Sequence, residues 1–406
     1  MRRRATSRAH LGAMLGLTVA VAFLAAGCGG APILANEPLA FPSPLQPSAP
    51  PARSADPIAI SLPRDDGPHD RLTEWWYYTG HLGTTDGRRF GFEAVVFRAE
   101  RGSAPAAWAA HLALTDEQGS AFHYAQRAEI GPQVDQSPRD AGGSATGFDL
   151  RVGGLNPALI AAGGPPTAAP WTLTGSNGVD RIEAALAPAE AAAAGATFGL
   201  ALDLRALKPP VLHQGNGFVD FGPAGSSYYY SRTRLAASGE LQLDGQRLKV
   251  EGIAWFDHQW GDFVSVGGGW NWFAINLDDG TDLTISSVFG TEARAGLLYG
   301  TLVDASGGVR LLDATDIQIS ASSAWASAAT GRLYPTHWRI AIAEFRPGVT
   351  LVINLLPTVD DQELDTRATT GVVYWEGSEL VSGLDGERPL RGEAYVELTR
   401  YDAPDS

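Results

Sequence analysis

The chain has 406 residues, a formal net charge of −15, 48 glycines, 11 tryptophans, 11 tyrosines and a single cysteine. The strongly negative charge argues against nucleic acid or an anionic membrane surface as a partner. Abundant glycine and tryptophan are typical of many-stranded antiparallel proteins, in which glycine occupies turns and aromatic side chains cover pleated faces.

The N-terminus has the pattern of an export signal. Arginines at positions 2–4 and 8 precede an apolar segment at 11–24, and Ala-Ala-Gly-Cys then ends at Cys28. This arrangement resembles the lipobox of bacterial lipoproteins, in which the cysteine is lipidated. The resemblance predicts a lipoprotein signal peptide at 1–28 and a protein exported and lipid-anchored to the bacterial cell envelope, facing the periplasm or exterior. A lipidated Cys28 would exclude disulfides, thiolate metal sites and a cysteine nucleophile.

The predicted signal is followed by a tether and then by the folded body. Residues 29–57 are rich in proline, alanine and serine with almost no charge, a composition typical of linkers. No later segment is long and apolar enough to cross a bilayer as a helix. The sequence therefore predicts a membrane contact through the lipid anchor only, and two domains at 58–262 and 263–402.

From residue 58 onward, short runs of alternating apolar and polar residues are separated by turn residues. Arg89–Arg98 follows the turn Thr85–Gly87, and Ala107–Thr115 continues the pattern. A second series of such runs begins at Gly269. We therefore expect an all-β protein with roughly eight to ten strands in each half, enough to close a barrel around one small ligand. Two Ala/Gly/Pro segments, Pro157–Ala168 and Ala187–Ala196, are predicted as loops.

Three segments concentrate aromatic and titratable residues: TEWWYYTGH at 73–81, GIAWFDHQWGDF at 252–263 and WNWF at 270–273. Alternate residues of a strand share one face of the sheet. Asp257 and His258 are therefore expected on opposite faces, so that any partner of His258 must come from another strand. In the first segment the same alternation places Glu74, Trp76 and Tyr78 on one face of the strand and Trp75, Tyr77 and Thr79 on the other. In the second segment one face carries Phe256, His258, Trp260 and Asp262, and the opposite face carries Trp255, Asp257, Gln259 and Gly261.

Two interpretations of these residues stay open. They are either interior aromatics with hydrogen-bonded polar tips or the wall of an apolar pocket with a few convergent polar groups. In the second case aromatic faces would stabilise a cation and an acid would deliver a proton. The candidate catalytic residues are His258, Trp260, Glu74 and Asp257. The candidate ligand-binding residues are Trp75, Trp76, Tyr78, Trp255, Trp270 and Trp272.

Other chemistries find no motif in the sequence. A nucleophile elbow, a zinc-binding HExxH helix, a phosphate-binding loop and a dinucleotide fingerprint are all missing. The remaining histidines lie on separate segments without partners two or four residues away. We therefore expect neither a metal nor another cofactor.

Eight ordered motifs carry a family resemblance. In chain order they are HDRLTEWWYYTGHL, KPPVLHQGNG, YYYSRTRL, GIAWFDHQWG, WNWFAINLDDGTDL, YPTHWRI, YWEG and AYVELTRYD. Together they resemble the superfamily of AttH and carotenoid 1,2-hydratase (hydroxyneurosporene synthase), with the closer echo in the AttH branch. The resemblance implies two lipocalin-like antiparallel β-barrels in tandem.

The resemblance also implies several functions. Some members hydrate carotenoid end groups, fungal relatives of the fold catalyse Diels–Alder cyclisations, and the AttH branch is associated with ABC-transporter operons. In the hydratases the His-x-Trp element, here His258 and Trp260, is implicated in catalysis. The hydratases also use a tyrosine and an aspartate on the strand after the DDG turn, where this chain has Ile285 and serines.

Two functional hypotheses follow. The first is an envelope lipoprotein that binds an apolar, lipid-like or isoprenoid-like small molecule and serves an ABC transporter. The alternative is an enzyme of the carotenoid-hydratase type, a hydro-lyase, isomerase or cyclase that acts on an apolar polyene. A plain adhesive or structural module is a third reading.

Overall fold

The structure, a computed structural model, describes residues 56–153, 169–263, 268–289 and 295–401. Cys28, the predicted signal peptide and nearly all of the predicted tether lie outside the described residues, as does the whole of the predicted loop at 157–168. The regular structure of the described chain is mainly antiparallel β-sheet, which confirms the predicted all-β class. No helix among the described residues has the length and apolarity needed to cross a membrane.

The first sheet contains twelve strands. Its order is β4-β3-β2-β1-β12-β11-β8-β7-β6-β5, with β9 and β10 paired to β11. Asp135, just after β4, pairs with Leu150 in β5 and brings the two ends of the sheet together as a nearly closed barrel. The strands are β1 (Thr73–Gly83), β2 (Arg89–Ala99), β3 (Ala107–Asp116), β4 (Ala121–Ile130), β5 (Phe148–Val152), β6 (Trp171–Ser176), β7 (Val179–Ala185), β8 (Phe198–Ala206), β9 (Val211–Leu212), β10 (Phe218–Asp220), β11 (Gly225–Leu243) and β12 (Gln246–Phe263).

The second sheet contains ten strands. Its order is β16-β15-β14-β13-β22-β21-β19-β18-β17, with β20 paired to β21. The strands are β13 (Gly269–Leu277), β14 (Asp282–Phe289), β15 (Ala295–Val303), β16 (Val309–Leu312), β17 (Ile317–Ala326), β18 (Leu333–Arg346), β19 (Val349–Pro357), β20 (Glu363–Asp365), β21 (Val373–Asp385) and β22 (Arg388–Thr399).

A short helix, α1 (Pro188–Ala194), occupies the segment that was expected to be a loop. Proline at its first position fits the helical backbone, and the Glu190 carboxylate accepts a bond of 2.6 Å from the Ala187 amide, as in a capping box. Gly195 ends the helix with φ of 71°, a conformation that favours glycine. These features define the start and the end of the helix, so the alanine-rich segment is helical and not a loop. Single 3₁₀ turns lie at Arg64–Asp66, Pro132–Val134, His213–Gly215 and Gly222–Ala224.

The three largest apolar clusters of the described residues lie in different parts of the fold. One fills the first barrel, a second fills the other barrel, and a third lies between the two barrels around Tyr77, Trp255 and Trp272. Ion pairs also join the barrels. The Asp282 carboxylate of β14 pairs with Arg234 of β11 and with Lys208, each at 2.7 Å. The strand pair β1–β12 separates the first and third clusters, so it presents one face to each of them.

Candidate active site

The strand pair β1–β12 sets the positions of the two central side chains. The register pairs Glu74 with Trp260 and Trp76 with His258. Residues that are directly opposite in an antiparallel pair share a face, and this face looks into the first barrel. Gly261 helps the packing here, because a Cβ atom at that position would lie 2.2 Å from the Ser226 carbonyl oxygen of β11.

Glu74 accepts hydrogen bonds from two histidines. The His69 Nδ1–H donates to Glu74 Oε1 at 2.7 Å, and the His258 Nε2–H donates to the same oxygen at 3.0 Å. The His69 backbone amide donates to the other oxygen, Oε2, at 2.9 Å. Glu74 and His258 are fully buried, whereas the His69 side chain is 19% exposed. The three residues therefore form a hydrogen-bonded series that leads from solvent to the barrel interior.

The charges in this series follow from its bonds. Burial opposes ionisation of Glu74, but the two histidines outweigh it and lower the pKa of Glu74 to about 2. Burial likewise opposes a charge on His69, but Glu74 and Asp65 raise its pKa above the ordinary value. Burial dominates at His258 and lowers its pKa despite the contact with Glu74. These shifts favour a charged His69–Glu74 pair beside a neutral His258.

Among the described residues, the second ring nitrogen of His258 has no hydrogen-bond partner. A carboxylate only accepts hydrogen bonds, so the proton of neutral His258 lies on Nε2, and Nδ1 carries a lone pair. Nδ1 is buried and makes no hydrogen bond. The ring stacks on Trp76 with centroids 4.6 Å apart. The barrel interior therefore holds an oriented and unused base.

Aromatic rings enclose this base. His69 stacks on Trp260 with centroids 4.0 Å apart and planes 2° from parallel, so the stacked pair lies between His258 and solvent. Tyr230 meets the His258 ring edge-on at 5.5 Å. Any substrate that reaches Nδ1 from the His69 side must displace the stacked pair. The surrounding interior is lined by Trp76, Trp108, Phe148, Tyr230, Phe256 and Trp260.

Asp257 lies on the opposite face of β12, away from the first barrel interior. Its oxygens accept bonds from Ser231, from Tyr229 and, at 2.6 Å, from the Trp255 indole. The Tyr229 hydroxyl in turn accepts a bond of 3.0 Å from the Trp272 indole of the second barrel. Asp257 is therefore part of the contact between the barrels and does not meet His258.

The six candidate ligand-binding residues are divided between these two faces. Trp76 and Tyr78 line the interior of the first barrel beside His258. The other four lie between the barrels: Trp75, Trp255, Trp270 and Trp272. A single pocket built from all six is therefore not present, although each group shares one environment.

The comparisons with known proteins agree with this architecture. A family model described as AttH-like matches residues 53–401, which is most of the chain. The chain belongs to the AttH-like family. A putative AttH from Nitrosomonas europaea shares 29% sequence identity over 86% of this chain and 99% of its own, with a TM-score of 0.69. The resemblance found in the eight motifs and the lipocalin-like fold are thereby confirmed.

A second solved structure, kievitone hydratase from Nectria haematococca, shares the fold. Its TM-score is 0.62 at 16% identity, over 85% of this chain and 94% of that one. None of the curated proteins matches the chain.

The contact between the barrels of this AttH-like protein holds further buried acids. Tyr77 of β1 donates to Glu376 of β21 at 2.6 Å, and Tyr374 donates to Glu93 of β2 at 3.0 Å. Burial raises the pKa of Glu93 to about 8 and that of Glu397 to about 7. The donors bonded to these acids are phenol and indole groups. Burial therefore favours the protonated form of these acids, which lie at the contact between the barrels.

Two surface depressions of about 520 and 500 Å³ lie elsewhere. The first is bordered by α1 and Asp244, and the second by the DDG turn at 278–280 and Arg346. Neither touches His258 or its partners. We base the site on the hydrogen-bond geometry, because the unpaired base and its orienting carboxylate are specific features and the depressions lack comparable groups.

His69 was missed by the sequence analysis. It lies in the loop before β1, where no strand alternation places it, and only its position five residues before Glu74 in the HDRLTE motif marked it. The same loop assembles a potential metal site, since the donor atoms of His69, Glu74 and His258 all lie within 4.8 Å of one another. No pair spacing within one segment could have revealed that group.

Proposed function

We propose that this AttH-like protein is an enzyme that transfers a proton on an apolar substrate. The reaction is the addition or removal of water at a carbon–carbon double bond, or the movement of that double bond. The observation that carries the proposal is the buried Nδ1 lone pair of His258, with Nε2–H held by Glu74.

The chemistry needs no further reactant than water. In the hydration direction the double bond is conjugated with a carbonyl group of the substrate. Nδ1 accepts a proton from a water molecule while the water oxygen bonds to the β-carbon, and the electron pair of the double bond moves to the carbonyl oxygen as an enolate. The imidazolium formed then returns that proton to the α-carbon. In the isomerisation direction, Nδ1 takes a proton from the carbon next to such a conjugated system, the electron pair again moves to the carbonyl oxygen, and the proton returns at the other end of the system. Glu74 stabilises the imidazolium in both cases through the bond at Nε2.

A neutral base of this kind favours proton abstraction as the first event. The low pKa of His258 keeps the ring unprotonated near pH 7, whereas protonation of an unactivated alkene requires a strong acid. Base-first chemistry therefore replaces the proton-initiated order that the sequence suggested for the alternative function. General acid–base catalysis by one positioned side chain supplies roughly 10²–10⁴-fold in rate.

The aromatic lining supports an apolar substrate. Trp76, Trp260 and Tyr230 present ring faces and edges around His258, and such walls bind apolar groups with few directional contacts. The similarity to kievitone hydratase supports only the fold, because the two chains share 16% identity.

Deuterium incorporation tests the proposed function. The full chain would be incubated in D₂O with a panel of apolar isoprenoid, polyene and fatty-acyl compounds whose double bond is conjugated with a carbonyl group, and the products analysed by mass spectrometry. We expect deuterium at product carbon with the wild-type protein and none above background with His258→Gln, which keeps an N–H donor for Glu74 but has no base. Equal incorporation by both proteins, or none with any alkene that binds, would sink the proposal.

A ligand-binding protein is the second candidate. The aromatic interior that suits an apolar substrate suits a carried lipid equally well. A carrier would bind such a molecule saturably without deuterium incorporation, and His258→Gln would leave that binding nearly unchanged. Delivery of the ligand to an ABC transporter stays a prediction of the sequence resemblance.

We also propose that the protein is exported and anchored by lipid at Cys28. The support is the lipobox-like pattern before that cysteine. Metabolic labelling with a radioactive fatty acid should mark the wild-type protein and not Cys28→Ser. Labelling of both proteins, or of neither, would contradict the anchor.

A further inference from the structure

The loop before β1 and the strand pair β1–β12 bring three metal-binding side chains to one point. The donor atoms of His69, Glu74 and His258 lie within 4.8 Å of one another. We propose that these residues form a reversible site for a divalent transition-metal ion of the Zn²⁺ or Co²⁺ class. The inference goes beyond the proposed function and does not depend on it, because binding can be measured without a substrate.

The donor set selects the class of ion. Two imidazole nitrogens and one carboxylate oxygen suit zinc, cobalt and nickel, whereas calcium and magnesium prefer all-oxygen sites. Two histidines with one glutamate is also a donor set of catalytic zinc sites, which leave a fourth position open for water. The side chains available here therefore match a borderline metal ion better than a hard one.

The distances are close to those that such an ion requires. With metal–ligand bonds of about 2.0–2.1 Å in a tetrahedral site, neighbouring donor atoms lie roughly 3.3 Å apart. Glu74 Oε1 is 2.7 Å from His69 Nδ1 and 3.0 Å from His258 Nε2. Each pair needs to separate by only a few tenths of an ångström, which side-chain rotation can provide.

The surroundings hold two of the three ligands in place. The His69 amide donates to Glu74 Oε2 at 2.9 Å and fixes the carboxylate plane. Asp65 lies 3.4 Å from His69 Nε2 and is itself bound at 2.6 Å by Arg64. A carboxylate on the far nitrogen of a ligating histidine is a common outer contact in metal sites. The exposed fraction of His69, 19%, gives an ion access from solvent.

Metal binding rearranges protons at both imidazoles. His69 must give up the Nδ1 proton that it donates to Glu74, and the proton of His258 must move from Nε2 to Nδ1. The Nδ1 position has no acceptor in the described structure, so the new N–H group stays unpaired and weakens binding. We therefore expect an ion that a chelator removes, and a metal-bound state in which His258 has lost its free base.

Visible spectroscopy of the full chain with Co²⁺ tests the site directly. Cobalt in a four-coordinate nitrogen and oxygen environment has intense d–d absorption, so titration should give a spectrum that saturates at one Co²⁺ per chain and disappears when Zn²⁺ is added. The His69→Ala, Glu74→Gln and His258→Gln variants should each lose it. His69→Gln retains an N–H donor for Glu74 and serves as the folding-conserving variant, which should also lose the spectrum.

A matched histidine control separates this site from general histidine binding. His337 is exposed and has φ of 54°, which asparagine tolerates, so His337→Asn should keep the full cobalt spectrum. No d–d absorption with the wild-type chain would overturn the proposal, as would an unchanged spectrum in His69→Gln. Turnover that survives complete chelation together with absent cobalt binding would leave the proposed function intact and remove the metal site alone.

Discussion

Glu74 and Asp257 lie on opposite faces of the β1–β12 strand pair and have opposite pKa shifts. On the face inside the first barrel, Glu74 meets two imidazoles, and its pKa falls to about 2. On the face between the barrels, Asp257 and Glu93 meet hydroxyl and indole donors without an imidazole, and their pKa values rise to about 6 and 8. Burial is similar on both faces, so the partner decides whether an acid is charged.

This contrast assigns different work to neighbouring residues of one strand. The Glu74 carboxylate orients His258 through a hydrogen bond at Nε2, and the buried Nδ1 makes no hydrogen bond among the described residues, which suits proton transfer. Asp257 has its oxygens occupied by donors of the same sheet, one of which contacts the second barrel. A pair that looks like a catalytic dyad in the sequence is thus split between a reaction site and a structural contact.

Substitution of His258 and of Asp257 should give the largest effects, one on turnover and the other on stability. We expect His258→Ala to lower turnover by roughly 10²–10⁴-fold while the free energy of unfolding changes by about 1–2 kcal/mol. Asp257→Asn should keep turnover and lose about 1–3 kcal/mol, because the amide cannot accept from every present donor. Deuterium incorporation and urea unfolding measure the two quantities, and the reverse pattern would show that the faces were assigned wrongly.

The next largest effect should be the pH dependence that Glu74 gives to the free energy of unfolding. Its folded pKa of about 2 lies below the ordinary 4.5, so its contribution is present above pH 4.5 and is lost as the pH falls toward 2. The shift corresponds to a contribution on the order of 3 kcal/mol. Urea unfolding between pH 3 and pH 6 should show this loss in the wild-type protein and a flatter curve in Glu74→Gln. Parallel curves would mean that the two histidines do not stabilise the carboxylate.

Glu93 should make the free energy of unfolding depend on pH in the opposite direction. Its folded pKa is raised to about 8, so its favourable contribution is complete below pH 4.5 and is lost as the pH rises through 8. Glu93→Gln removes the ionisable group and keeps an acceptor for Tyr374. We expect this variant to be more stable than the wild-type protein at pH 8 and equal to it at pH 4. A loss of stability at pH 8 would show that ionised Glu93 is favourable.

Arg64 should give the smallest effect. It binds Asp65 behind His69, but its side chain is 47% exposed, and exposed ion pairs contribute about 0–1 kcal/mol. Arg64→Ala should therefore change the free energy of unfolding by less than about 1 kcal/mol and leave turnover within a few-fold. A large loss of turnover would place the outer end of the hydrogen-bonded series in the reaction.

The sequence predicted the fold and the faces better than the site. Period-two alternation of the segments 73–81 and 252–263 separated His258 from Asp257 correctly, because that property is local to one strand. The bond between Glu74 and His258 depends on the register of strands 184 residues apart, which no local pattern encodes. His69 lies in a loop, and Glu93 and Glu376 are isolated acids within strands, so nothing in their neighbourhoods marked them.

The protonation state of His258 tests the central claim most directly. Nitrogen-15 NMR of the metal-free full chain labelled at histidine, with the His258 signals assigned by comparison with His258→Gln, distinguishes protonated from unprotonated ring nitrogens. We predict that at pH 7 His258 has an unprotonated Nδ1 and a protonated Nε2. A protonated Nδ1, alone or in an imidazolium, would contradict the proposed base.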